Sequence, residues 1–141
     1  MGRRRAGPRR LERCSVTGAV TLDAGPLIEL DRNDRRVVLL LARANETGDL
    51  VVIPGTALAQ AIRDPARQAR LSRLLRQPRT AVVPLGKKDA IQVGHLLAGS
   101  GTSDIADAHV VVCARRAQTR VVTSDPDDLR AVDASLDLVI I

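Results

Sequence analysis

From residue 19 to residue 141, short aliphatic runs alternate with segments of helical length, and that alternation decides the fold class. The runs lie in AVTLDAG (19–25), DLVVIPG (49–55), TAVVPLG (80–86), TRVVTSD (119–125) and LDLVII (136–141). Between them come PLIEL and helix-length stretches at 34–48, 56–64, 66–77, 87–101, 103–117 and 126–132. Strand–helix alternation of this kind predicts an α/β sandwich around a mainly parallel sheet. Composition agrees: with no Phe, Tyr or Trp, the core must come from Val, Leu, Ile and Ala. Doubly buried parallel strands read as such aliphatic runs. The same absence argues against modules that stack bases on aromatic rings. A length of 141 residues allows one domain.

The net charge of +6 is unevenly spread. Six of the 22 Lys/Arg and one of the 16 Asp/Glu fall in residues 1–18, a local balance of +5 that leaves +1 for the rest. MGRRRAGPRRLER has no apolar periodicity, so residues 1–18 read as a basic, disordered tail and 19–141 as the folded domain. Basic arms grip phosphate backbones, and they also occur as merely solvated tails. No apolar stretch has the length of a signal peptide or membrane span, which predicts a cytoplasmic protein with no membrane partner. Cys14 and Cys113 show neither metal spacing nor a disulfide pattern.

Chemistry concentrates where strands end. Ligands of an open parallel sheet bind beyond the carboxyl ends of its strands. Asp23 follows the first run, Asp125 follows the fourth, and Asp104 and Asp107 open the helix that feeds the fourth. Residues three apart share a helix face, so Asp104 and Asp107 are expected to point together. Carboxylates crowded at one edge repel unless a cation joins them. An all-oxygen set without a His/Cys pattern suits Mg²⁺ or Mn²⁺, and such ions assist phosphodiester hydrolysis. Each acid also has an ordinary reading. Asp104 stands where a helix dipole welcomes negative charge. Asp125 before Pro126 fits an N-cap, with Asp128 completing the arrangement. His109, two residues from Asp107, faces elsewhere and reads as structural or surface. His95 has no partner in spacing. The arginines at 67, 70, 73 and 76 read as a solvated face, or as contacts for RNA phosphates. Val110, Val111 and Ala114 are expected to pack on the sheet and so aim Asp107.

VTLDAGPLI, IPGTALAQAIR, GTSDIADAHVVVCARR and RVVTSDPDDL, in this order, resemble the PIN-domain family in the manner of VapC-type toxins of bacterial toxin–antitoxin pairs. The resemblance covers nearly all of residues 19–141. It implies a three-layer α/β/α fold and a Mg²⁺- or Mn²⁺-dependent endoribonuclease. It also implies a homodimer and a cognate antitoxin partner. By position, Asp23, Asp107 and Asp125 match the family's metal-holding acids, with Asp104 as an accessory. Where the family places a glutamate, this chain has Gln60. An amide offers a carbonyl oxygen but no charge, so metal affinity is expected to fall. Asp64 is a conceivable substitute one turn further on. The alternative is therefore a weakened or inactive PIN-like domain that binds RNA or a protein partner. A nucleotide-binding α/β domain is a third reading, but DAGPLIEL matches no Gly-rich phosphate loop.

Overall fold

A computed structural model describes residues 18–141; the basic segment 1–17, including Cys14, lies outside the described residues. Five strands form one sheet: β1 (Ala19–Leu22), β2 (Leu50–Pro54), β3 (Thr80–Val83), β4 (Arg120–Thr123) and β5 (Leu138–Ile140). All pairings are parallel, in the order β3-β2-β1-β4-β5. Seven α-helices of the described residues flank it: α1 (Ala24–Asp31), α2 (Arg35–Thr47), α3 (Gly55–Ala61), α4 (Ala69–Leu75), α5 (Lys87–Ser100), α6 (Ile105–Ala117) and α7 (Pro126–Val132). The chain moves outward from β1 through β2 to β3, then returns to β4 on the other side of β1. Crossovers between parallel strands are right-handed as a rule, which sends the helices of the two halves to opposite faces. The direction of travel reverses between β1 and β4, which opens a crevice beyond their carboxyl ends.

The expected elements are present with local corrections. The stretch 56–64 stops early, at Ala61, and 66–77 is broken into a 3-10 turn (Pro65–Arg67) and α4. The Gln68 side chain explains the break: its Oε1 accepts from Arg63 N (2.9 Å) and Asp64 N (3.1 Å), and its Nε2 donates to Ala61 O (2.9 Å). These bonds satisfy backbone groups that a continuing helix would otherwise use. Gly48 and Gly101 end α2 and α5 in the left-handed conformation, at φ 74° and 71°.

The core is aliphatic. Leu22, Leu27, Val37, Ile53, Leu71, Val121 and Leu129 are almost fully buried within one cluster. Val110 and Ala114 of α6 join it, as expected. Val111 does not: it packs with Val93, Ala108, Val112 and Val132 in a second cluster that links α5, α6 and α7. α6 is therefore buried on two sides, between the sheet and two helices. Among the described residues, no helix is long and apolar enough to cross a membrane.

Candidate active site

The site is built from the ends of β1 and β4. Leu22 pairs with Val122, and the next backbone bond, Asp23 N to Val122 O (3.0 Å), carries the ladder into the crevice. Asp23 is only 7% exposed. Its Oδ1 accepts from Ala24 N and its Oδ2 from Thr123 Oγ1, both at 2.8 Å. The same Thr123 hydroxyl accepts from Asp125 N at 2.9 Å. One side chain thus ties the carboxylate after β1 to the turn that carries the carboxylate after β4. Gly25 assists: a Cβ there would collide with the Ser124 side chain, so only glycine lets the first turn of α1 come this close without displacing it.

α6 runs back toward the strands' amino ends, so its first turn opens into the same crevice. Asp104 is its N-cap, and Oδ1 accepts from Asp107 N at 2.9 Å. The helix-dipole reading of Asp104 thus takes the form of a cap, and among the described residues the second oxygen makes no hydrogen bond. Asp107 is half-buried in the first turn. Burial, then the charges of Asp104, Asp23, Asp128 and Asp125, push its carboxyl up to about 7. Burial also raises Asp23, against the pull of its two hydrogen bonds, with Asp125 and Asp104 adding repulsion. Asp125 makes no capping bond to α7. Instead, its nearness to Asp128 raises the Asp128 carboxyl. Among the described residues, no Lys or Arg forms an ion pair with any of these five acids.

The donors are all oxygen, the chemistry of a hard divalent cation. Their oxygens are spread rather than gathered: the one group of three potential ligands within 4.8 Å of one another, among the described residues, lies elsewhere. Mg²⁺ keeps several of its waters and uses one or two carboxylates directly, so a spread acidic crevice fits it. Gln60 is exposed near the end of α3 and makes no hydrogen bond to the aspartates. Asp64 lies beyond the helix and pairs with Arg67 at 3.5 Å, so it does not replace the missing charge.

The closer group is Asp89, His109 and Cys113, all buried between α5 and α6. These three could hold an ion, but their valences are engaged. His109 Nε2 meets Asp89 Oδ2 at 3.1 Å, and Arg116 bonds the other Asp89 oxygen. His109 Nδ1 meets Thr56 Oγ1 at 2.8 Å. Burial pushes the Cys113 thiol up to about 11, away from a ligating thiolate. His109 is thus structural, as its spacing predicts. The Thr56 hydroxyl in the first turn of α3 is spent on His109; Pro54 occupies the cap without a side-chain bond.

The PIN domain family model matches residues 20–135. The chain belongs to the PIN domain family. Among solved structures it is similar to VapBC2 from Rickettsia felis, bound to a DNA fragment from their promoter, with TM-score 0.62 and 15% identity over 86% of this chain and 98% of that one. It is also similar to FitAcB from Neisseria gonorrhoeae, with TM-score 0.55 and 17% identity over 84% and 95%. No curated protein matches it in sequence. In this PIN domain, two residues of the crevice escape sequence reasoning. Thr123 looks like one more strand residue, since its partner is 100 positions away. Asp128 reads as a capping partner, although the TSDPDD stretch carries enough charge to flag it.

Proposed function

We propose that this PIN domain is a divalent-metal-dependent endoribonuclease, the toxin of a toxin–antitoxin pair. The observation that carries the proposal is the grouping of Asp23, Asp104, Asp107 and Asp125, with Asp128, at the switch point of the sheet, where burial and then the neighbouring acids push Asp107 up to about 7. Asp23, Asp104, Asp107 and Asp125 would hold Mg²⁺ or Mn²⁺, and Gln60 would border the site. The bound ion supplies charge neutralisation at the phosphoryl oxygens and a more acidic attacking water. The chain's own groups prepare for it. Thr123 and Ala24 N orient Asp23, the cap bond orients Asp104, and burial sharpens the electrostatics of Asp107. Family membership and the likeness to VapBC2 and FitAcB support a cognate antitoxin; a homodimer and a cytoplasmic setting are proposed with it.

The test is cleavage of total RNA with Mg²⁺ or Mn²⁺. Cleavage is expected to fall at least about a hundredfold in Asp23→Asn and Asp107→Asn; activity retained in both variants rejects the proposal. Gln60 favours a second reading, a PIN domain that binds RNA or a partner without cutting. Under that reading wild type is silent, and Gln60→Glu tightens Mn²⁺ binding in calorimetry.

A further inference from the structure

α6 presents Asp107 from a first turn whose buried side chains are small. Ile105 points outward, 52% exposed, and the buried side chains there are Ala106 and Ala108. Two methyl groups give little rotational specificity, because apolar contact is non-directional. The next residue is different. His109 is fully buried and is the bulkiest buried side chain of α6. Its ring is held from both sides, by Thr56 at the start of α3 and by Asp89 in the first turn of α5. Asp89 is kept ionised by Arg116, one of whose nitrogens bonds it, and its carboxyl lies below the usual range. A carboxylate only accepts, so His109 Nε2 donates to it. Bonds of fixed length to two neighbouring helices set the rotation and rise of α6 more sharply than the non-directional packing of its alanines and valines does.

We infer that the buried chain Thr56–His109–Asp89–Arg116 is the device that positions the metal-facing turn of α6, with His109 as its positioning residue. The inference rests on the nuclease reading only for its catalytic consequence. Thr56 and Gln60 are four apart, on one face of α3. The Thr56–His109 bond therefore turns the face that carries Gln60 toward α6 as well. In a chain without Phe, Tyr or Trp, a hydrogen-bonded imidazole supplies the bulky, directional core element.

Thr56→Val removes one bond at nearly constant shape, and Thr56→Ser keeps the hydroxyl. His109→Gln is a second route, retaining a donor toward Asp89 while losing the bond to Thr56. Amide hydrogen exchange in metal-free protein is the direct readout. Thr56→Val and His109→Gln are expected to speed exchange at the Asp107 and Ala108 amides at least tenfold, with amides of the last turn of α6 unchanged and Thr56→Ser close to wild type. In an active enzyme the same two variants lower kcat tenfold or more at constant KM for RNA. Unaltered exchange at Asp107 and Ala108 in folded Thr56→Val and His109→Gln overturns the inference, even if wild type cleaves RNA. Wild type that shows neither Mn²⁺ binding nor cleavage defeats the nuclease reading, while the exchange data still decide the positioning role.

Discussion

Asp107 shows how much the crevice costs the protein before any ligand arrives. Its raised carboxyl means that, between about pH 4 and pH 7, the native state holds a proton that the unfolded chain has released. Stability contributed by this group is present at low pH and lost as pH rises through about 7. Asp107→Asn is therefore expected to raise the melting temperature of metal-free protein at pH 7.5, with the gain vanishing near pH 4. A melting scan at the two pH values checks it; equal gains at both would show that ionisation of the buried carboxyl is not the cause. Mn²⁺ must also expel that proton, so its affinity should climb from pH 6 to pH 8 in calorimetry, with proton release. Thr123 offers a second test at this scale. Thr123→Val leaves the buried Asp23 oxygen without its donor and is expected to cost roughly 1–3 kcal/mol in urea unfolding.

Elements explain why some of this was legible beforehand. The aliphatic runs gave away the strands, and parallel order then forces residues after β1 and β4 to a common edge, so Asp23 and Asp125 could be placed together from sequence. The early stop of α3 could not, because it depends on Gln68 reaching back to the 61–64 backbone. Val111 was misplaced because α6 has two buried sides, and a helix buried on both carries no single apolar stripe. His109 was rightly set apart from the acids, but its partners Thr56 and Asp89 lie 53 and 20 residues away and leave no local signal. At α6 the dual role of Asp104 can be split. Asp104→Ser keeps a capping oxygen and is expected to preserve stability, whereas Asp104→Ala costs about 1 kcal/mol. Both remove the charge, so both should weaken Mn²⁺ binding; unchanged affinity in Asp104→Ser would assign Asp104 to capping alone.

For the whole molecule, the order β3-β2-β1-β4-β5 puts the acids at the centre of one sheet edge, where the two halves of the fold part. The body that carries them has a formal balance near +1 once the first 18 residues are set aside. The body therefore offers little net attraction for a polyanion, and an acidic crevice repels one. If RNA is the substrate, the arginines of the basic segment are expected to supply much of the long-range pull. Removing residues 1–17 should flatten the salt dependence of RNA affinity. An unchanged slope of log affinity against log salt would show that the segment does not touch RNA.

The outward-facing Ile105, flanked by Asp104 and two positions from Asp107, has a practical corollary. A chain devoid of tryptophan and tyrosine neither absorbs appreciably at 280 nm nor fluoresces, so its background is dark. Ile105→Trp would install a lone emitter at the lip of the acidic crevice. Quenching by paramagnetic Mn²⁺, or a spectral shift as a nucleobase stacks on the indole, would then report arrival at that spot and nowhere else in the protein.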